Sequence, residues 1–355
     1  MQPFTYESHP TRVVFGDGTI RQVRDVCERS GMRRPLVLST PQQLDQAEVV
    51  AGYLAGMGVG IFDGAVMHTP VDVTEKARAF AETRGADGLV AIGGGSTTGL
   101  AKAISIRTGL PQLIIPTTYA GSEMTPILGE TKDGLKTTRS DSKIRPHAVI
   151  YDVGLTLELP KVLSATSGLN AIAHAAEALY ARDGNPIIAL MAQEGIAALS
   201  KALPEIEASP RDPAARWNAL YGAWLCGTCL GSVGMALHHK LCHTIAGSLN
   251  LPHAETHAIV LPHSLAFNAP ATPDAMLMLQ KALKSTDAIE GLNLLTSKLD
   301  IPRSLMELGM REYDISDAAD KAVLNPYWNP RSLSRDFAFE LIRRAWAGEP
   351  ARAIN

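Results

Sequence analysis

The chain has 355 residues, 46% of them hydrophobic and 19% charged, with a formal charge of −3. That length exceeds one ordinary core and predicts two domains, while the near-neutral charge gives no footing for a nucleic acid or an anionic membrane surface. No apolar run is expected to span a bilayer, and the polar start Met-Gln-Pro-Phe-Thr-Tyr-Glu lacks the pattern of a signal peptide.

In chain order, Arg12-Val-Val-Phe-Gly-Asp-Gly18 predicts a strand ending in a tight turn. Pro35-Leu-Val-Leu-Ser, Gly58-Val-Gly-Ile-Phe, Gly88-Leu-Val-Ala-Ile-Gly93, Gln112-Leu-Ile-Ile-Pro116 and Ala148-Val-Ile-Tyr-Asp152 follow, separated by helix-like segments. Short apolar runs of this kind mark parallel strands covered on both faces. After Leu157-Glu-Leu-Pro160 the texture becomes Ala/Leu-rich with a period near 3.6. The expected architecture is therefore an α/β domain with a Rossmann-like parallel sheet over residues 1–152, then an all-α domain over 153–355. Four cysteines form no secreted framework, and Cys226 and Cys229 read as small apolar groups on a buried helix, although a CxxC can also be a redox or metal pair. A reduced, cytoplasmic protein is expected.

Two strand ends carry candidate ligand chemistry. Gly93-Gly94-Gly95-Ser96 lies between a predicted strand and a predicted helix, where glycines admit a close diphosphate and the helix start offers N–H groups. The next strand ends in Pro116-Thr-Thr-Tyr-Ala-Gly-Ser122, whose Thr117, Thr118 and Ser122 suit phosphate or ribose contacts. Ordinary turn chemistry is the plainer reading of both loops. Ser39 ends the second strand, where a carboxylate would select a free ribose 2′-hydroxyl; its absence leaves both NADH and NADPH open.

Ten histidines are present, and five of them fall between His238 and His257. Asn170 and His174 are one helical turn apart, as are His239 and His243, so each pair shares a face. Imidazoles in such numbers suit a metal site or proton transfer.

Together, Gly-Gly-Gly-Ser96, Pro116-Thr-Thr with Gly121-Ser-Glu, Gly168-Leu-Asn-Ala-Ile-Ala-His174, Gly234-Met-Ala-Leu-His-His239 and Leu251-Pro-His253 resemble the iron-containing alcohol dehydrogenase superfamily, and within it the maleylacetate reductase branch. The resemblance runs from Phe15 to Arg331. It implies a metal-ligand set of an aspartate and three histidines, falling here on Asn170, His174, His239 and His253, with His243 near the nicotinamide. It also implies a cofactor lysine at Lys136 and a homodimer. Two substitutions depart from the dehydrogenases: Asn170 replaces the aspartate, and Gly99 stands where another aspartate is usual. The loop after Pro116 is also one residue short.

The expectation is an NADH- or NADPH-dependent reductase of the conjugated C=C of a small dicarboxylate, needing no metal, within the breakdown of aromatic compounds. An amide at 170 would neutralise a cation poorly and would not repel a dianion. His239 and His253 are expected to hold the oxyanion, with Asn170 and His174 supporting and His243 contacting the nicotinamide or donating a proton. His238 and His257 are expected to be ordinary helix residues or outer partners, His263 a helix cap, and Arg331 structural. A metal-dependent alcohol or aldehyde oxidoreductase, or a non-catalytic nucleotide-binding relative, are the alternatives.

Overall fold

The computed structural model describes residues 4–8, 10–133 and 135–353, without the side chain of Lys136. Two compact units divide the chain, one over Glu7–Leu159 and the other built on Pro160–Asn355. The sequence places the change of texture at residue 153; the short 3₁₀ turn Val153–Thr156 stays with the first unit.

The first unit alternates strands and helices: β1 (Arg12–Gly16), α1 (Val23–Arg29), β2 (Pro35–Leu38), α2 (Leu44–Tyr53), β3 (Ile61–Phe62), α3 (Val71–Thr83), β4 (Gly88–Gly93), α4 (Gly95–Thr108) and β5 (Gln112–Pro116). A hairpin follows, β6 (Ile127–Lys132) and β7 (Leu135–Ser140), and β8 (Ala148–Asp152) closes the unit. Six strands form one parallel sheet in the order β1-β8-β5-β4-β2-β3. Every residue of β2, β4, β5 and β8 is buried, as expected of strands covered on both faces. The chain runs from β2 outward to β3, then returns to β4 on the other side of β2. That reversal puts the topological switch at the carboxyl ends of β2 and β4, where open α/β sheets bind ligands.

The second unit is helical, as its period predicts: α5 (Lys161–Ala178), α6 (Pro186–Ala208), α7 (Pro213–Leu230), α8 (Leu237–Leu249), α9 (His253–Asn268), α10 (Pro273–Leu283), α11 (Ala288–Ser297), α12 (Asp314–Val323) and α13 (Arg335–Ala347). From Ser164 to Ala178 every residue of α5 is buried, so helices enclose it on all sides. Its small residues permit this: a Cβ on Gly168 would stand 2.6 Å from Leu203 of α6. One expectation needs correction. By length and composition α6 is apolar enough to cross a membrane, with 39% of its most apolar window buried. Within this unit it packs along α5 and α7, turning Ile188, Ala192, Ile196, Leu199 and Leu203 inward. All four cysteines are buried thiols, and burial pushes Cys229 up to about 12, which suits the packing reading of the CxxC.

Candidate active site

At the switch point the glycines are demanded by space. Gly93 has φ +143°, and a Cβ there would lie 2.4 Å from Gln43 Oε1. A Cβ on Gly94 would meet Thr118 at 3.1 Å, whereas one on Gly95 would enter open space. Helix α4 begins at Gly95 with no side-chain cap, leaving its first N–H groups directed at that opening. Gln43 ties the strand ends together, donating from Nε2 to Thr117 Oγ1 at 2.7 Å, while Thr117 N donates to Gly93 O. Two predicted contact residues, Ser39 and Ser122, carry buried hydroxyls without a hydrogen-bond partner. An uncapped helix start, an open glycine face and orphaned hydroxyls fit a diphosphate-bearing cofactor. The loop bearing Ser122 is pinned from below by fully buried Lys102, which donates to Ser122 O (2.5 Å), Thr125 Oγ1 (2.9 Å) and Ile127 O (2.9 Å). Burial pulls this ammonium down to about 7. At Gly99 a Cβ would lie 2.3 Å from Thr69 Oγ1, so a larger residue there requires the threonine hydroxyl to turn away. Ser96 lies in the first turn of α4, and Lys136 pairs with Thr131 in the hairpin, its side chain lying outside the described residues.

In the helical unit, α5, α8 and α9 bring six histidines together. His174 and His239 stack with ring centroids 4.9 Å apart; His239 and His243 are 6.0 Å apart, and His243 and His253 6.1 Å. His257, expected to be peripheral, lies at the middle, 4.3 Å from His253 and 5.2 Å from His239. Its Nδ1 meets His238 Nε2 at 2.9 Å, and His238 Nδ1 meets Ser264 Oγ at 3.1 Å. Burial, and then the neighbouring imidazoles, hold both His238 and His257 well below the usual histidine range, so both are neutral. His263 is no cap: it lies inside α9, where burial pulls it down to about 4.

The organiser of this cluster is a residue that the sequence reading passed over. Glu177, fully buried, accepts from the backbone N–H of Ala236 (2.7 Å) and of His238 (2.6 Å), and so caps α8, whose own N-cap offers no side chain. The positive end of the helix makes a buried carboxylate tolerable there. The same Oε2 faces His239 Nδ1 at 2.7 Å, and His239 Nε2 faces His174 Nδ1 at 2.8 Å. A carboxylate only accepts, so His239 carries its proton on Nδ1. In the neutral ring Nε2 is then the acceptor, and His174 Nδ1 donates to it. The result is a directed chain Glu177–His239–His174. Its signal was in the sequence: Asn170, His174 and Glu177 fall on one helix face at i, i+4 and i+7.

This donor set is weaker for a divalent ion than an aspartate with three histidines would be. Asn170 supplies a neutral amide whose buried Oδ1 has no hydrogen-bond partner, and the His239 lone pair is engaged by His174. Among the described residues, the group whose donor atoms all lie within 4.8 Å of one another is His238, Cys242 and His257, which contains none of the family positions. Both His238 nitrogens there are already bonded, and burial pushes the Cys242 thiol well up, away from the thiolate a metal would need. Arg331 is held structurally, donating to Phe267 O at 2.9 Å and lying over the Phe267 and Phe337 rings.

Known proteins resemble this chain over nearly its whole length. The model of iron-containing alcohol dehydrogenases matches residues 10–153, and the C-terminal model of the Fe-containing alcohol dehydrogenase family matches 164–346. A maleylacetate reductase of Rhizobium sp. (strain MTP-10005) is 53% identical over 348 residues, covering 98% of this chain and 99% of its own length. One from Burkholderia cepacia is also 53% identical, with the same coverage. The crystal structure of maleylacetate reductase from Agrobacterium tumefaciens has a TM-score of 0.95 at 52% identity, covering 99% of this chain and 100% of that one. With both units matched, the chain belongs to the iron-containing alcohol dehydrogenase family and is an oxidoreductase.

Proposed function

We propose that this protein is a maleylacetate reductase, using NADH or NADPH to reduce the conjugated C=C of maleylacetate to 3-oxoadipate without a required metal. The observation that carries the reading is Asn170, an uncharged amide with an orphaned oxygen beside paired histidines, at the position where the resemblance to metal-binding dehydrogenases implies an aspartate. The full-length relatives named maleylacetate reductase support it.

Bound dihydronicotinamide supplies the hydride. As it reaches the alkene carbon remote from the ketone, negative charge develops on the ketone oxygen, and a proton must reach the carbon between them. Glu177 holds His239 in one tautomer, and His239 supports a positive charge arising on His174, by the logic of a carboxylate–imidazole pair. We assign the oxyanion to His174, with the Asn170 amide and His253 beside it, and His239 as the inner partner. His243, whose Nδ1 meets Tyr327 Oη at 3.2 Å, is the proton donor to carbon. The Gly93–Ser96 turn, Thr117, Thr118, Ser122 and Ser39 form the cofactor's diphosphate and ribose contacts, with Lys136 on the hairpin beside them. The same reading takes the protein as a cytoplasmic homodimer within aromatic-compound breakdown.

The test is NADH consumption with freshly generated maleylacetate, with metal content measured on the same sample and activity compared before and after EDTA. Turnover that survives chelation is the expected result. Loss of turnover on chelation with recovery on added iron or zinc would establish the metal-dependent alternative.

A further inference from the structure

Beside the histidine cluster, the helical unit holds a cavity of about 280 Å³ walled by the start of α8 and the segment 322–333. Its lining includes two cations, Lys240 and Arg331, with Tyr327 and Asn329, and contains no aspartate or glutamate. Arg331 is anchored, as described, by a carbonyl and two aromatic rings. Asn329 is locked by reciprocal amide bonds of 2.8 Å to Asn268. Lys240 differs. It is half-buried, follows His239 directly on α8, and its ammonium makes no hydrogen bond or ion pair among the described residues. A half-buried cation left unpaired in an acid-free cavity is costly unless an anion visits it. Tyr327 links the cavity to the chemistry through its contact with His243.

We propose that this cavity is the subsite for a carboxylate of a small dicarboxylate substrate, with Lys240 as the cation that binds it. The proposal rests on the reductase reading and adds to it how the dianion is held: one acid group at Lys240, the conjugated ketone toward the histidines. The Tyr327 hydroxyl supplies a hydrogen bond and Arg331 background positive charge, while Asn329, whose two amide hydrogens go to Asn268 Oδ1 and Arg331 O, only fixes the wall. A lysine binds as a point charge, so the subsite selects charge more than the planar geometry of a bidentate clamp.

The test is calorimetric titration of the full-length protein with adipate and with its dimethyl ester, which has the same chain without the charges. Lys240→Met should weaken adipate about tenfold or more while leaving the ester unchanged, and Lys240→Arg should restore most of the adipate affinity. The Michaelis constant for maleylacetate should rise in parallel, with NADH affinity unmoved. Three outcomes overturn the subsite: no adipate binding by the unmodified protein, equal adipate affinity in Lys240→Met, or equal losses for adipate and ester. If the unmodified protein consumes no NADH with maleylacetate, the reductase reading fails, and the adipate titration decides the subsite by itself.

Discussion

At the scale of single residues, two substitutions separate the electrostatic roles in the cluster. Glu177→Gln retains the shape but offers His239 an amide, so the tautomer is no longer dictated and the charge on the imidazole pair is unsupported. Turnover with maleylacetate should fall roughly 100-fold while NADH affinity, measured by fluorescence titration, stays as it was. Unchanged turnover would remove the Glu177–His239–His174 chain from the mechanism. Asn170→Asp should act in the opposite sense on metals: iron or zinc retained through purification should rise, and the Michaelis constant for the dianion should increase, because a fixed negative charge repels it. Elemental analysis and steady-state kinetics on the same preparation check both. Asn170, His174, His239 and His253 were legible as residue types at family spacing. Glu177 was legible only as a helix-face partner, and His257 only as the residue one turn beyond His253 on the same face, while its central position among the rings came from the packing of three helices.

At the scale of elements, the close approach of α6 and α7 depends on a glycine in each. A Cβ on Gly195 would stand 2.8 Å from Cys226 Sγ, and one on Gly222 would stand 2.9 Å from the backbone oxygen of Gly195. The obstacle at Gly222 is a carbonyl, which no rotamer change can move aside. Gly222→Ala should therefore destabilise the protein by about 1–3 kcal/mol despite the better helix propensity of alanine, measurable by urea unfolding. The parallel strands were readable because burial on both faces writes continuous apolar runs, though β3 is shorter than Gly58–Phe62 suggests. The β6–β7 hairpin was missed. The sequence pair Asp133-Gly134 is a turn signal, but Lys136-Thr-Thr-Arg-Ser140 is polar throughout, so no alternation marks a strand.

For the whole molecule, the neutral histidines set an acid limit. His238 and His257 titrate well below 6.5 when folded, yet near 6.5 when unfolded. Below about pH 6.5 the unfolded chain takes up protons that the folded protein refuses, so stability falls as pH drops; above it these two groups contribute no further change. The thermal midpoint should decline between pH 7 and 5, and the decline should be shallower in His257→Asn. A midpoint independent of pH over that range would mean that the cluster accepts protons while folded. What the sequence by itself determined was local. Apolar period, glycines at strand ends and histidine spacing depend on neighbours a few residues away, and those are enough to name strands, helices and a family. Tertiary structure alone decided which groups are paired. Glu177 meets His239 across 62 positions, and Lys240 shares a cavity with residues some ninety positions onward, so packing chose the tautomers, the orphaned oxygen of Asn170 and the unpaired cation.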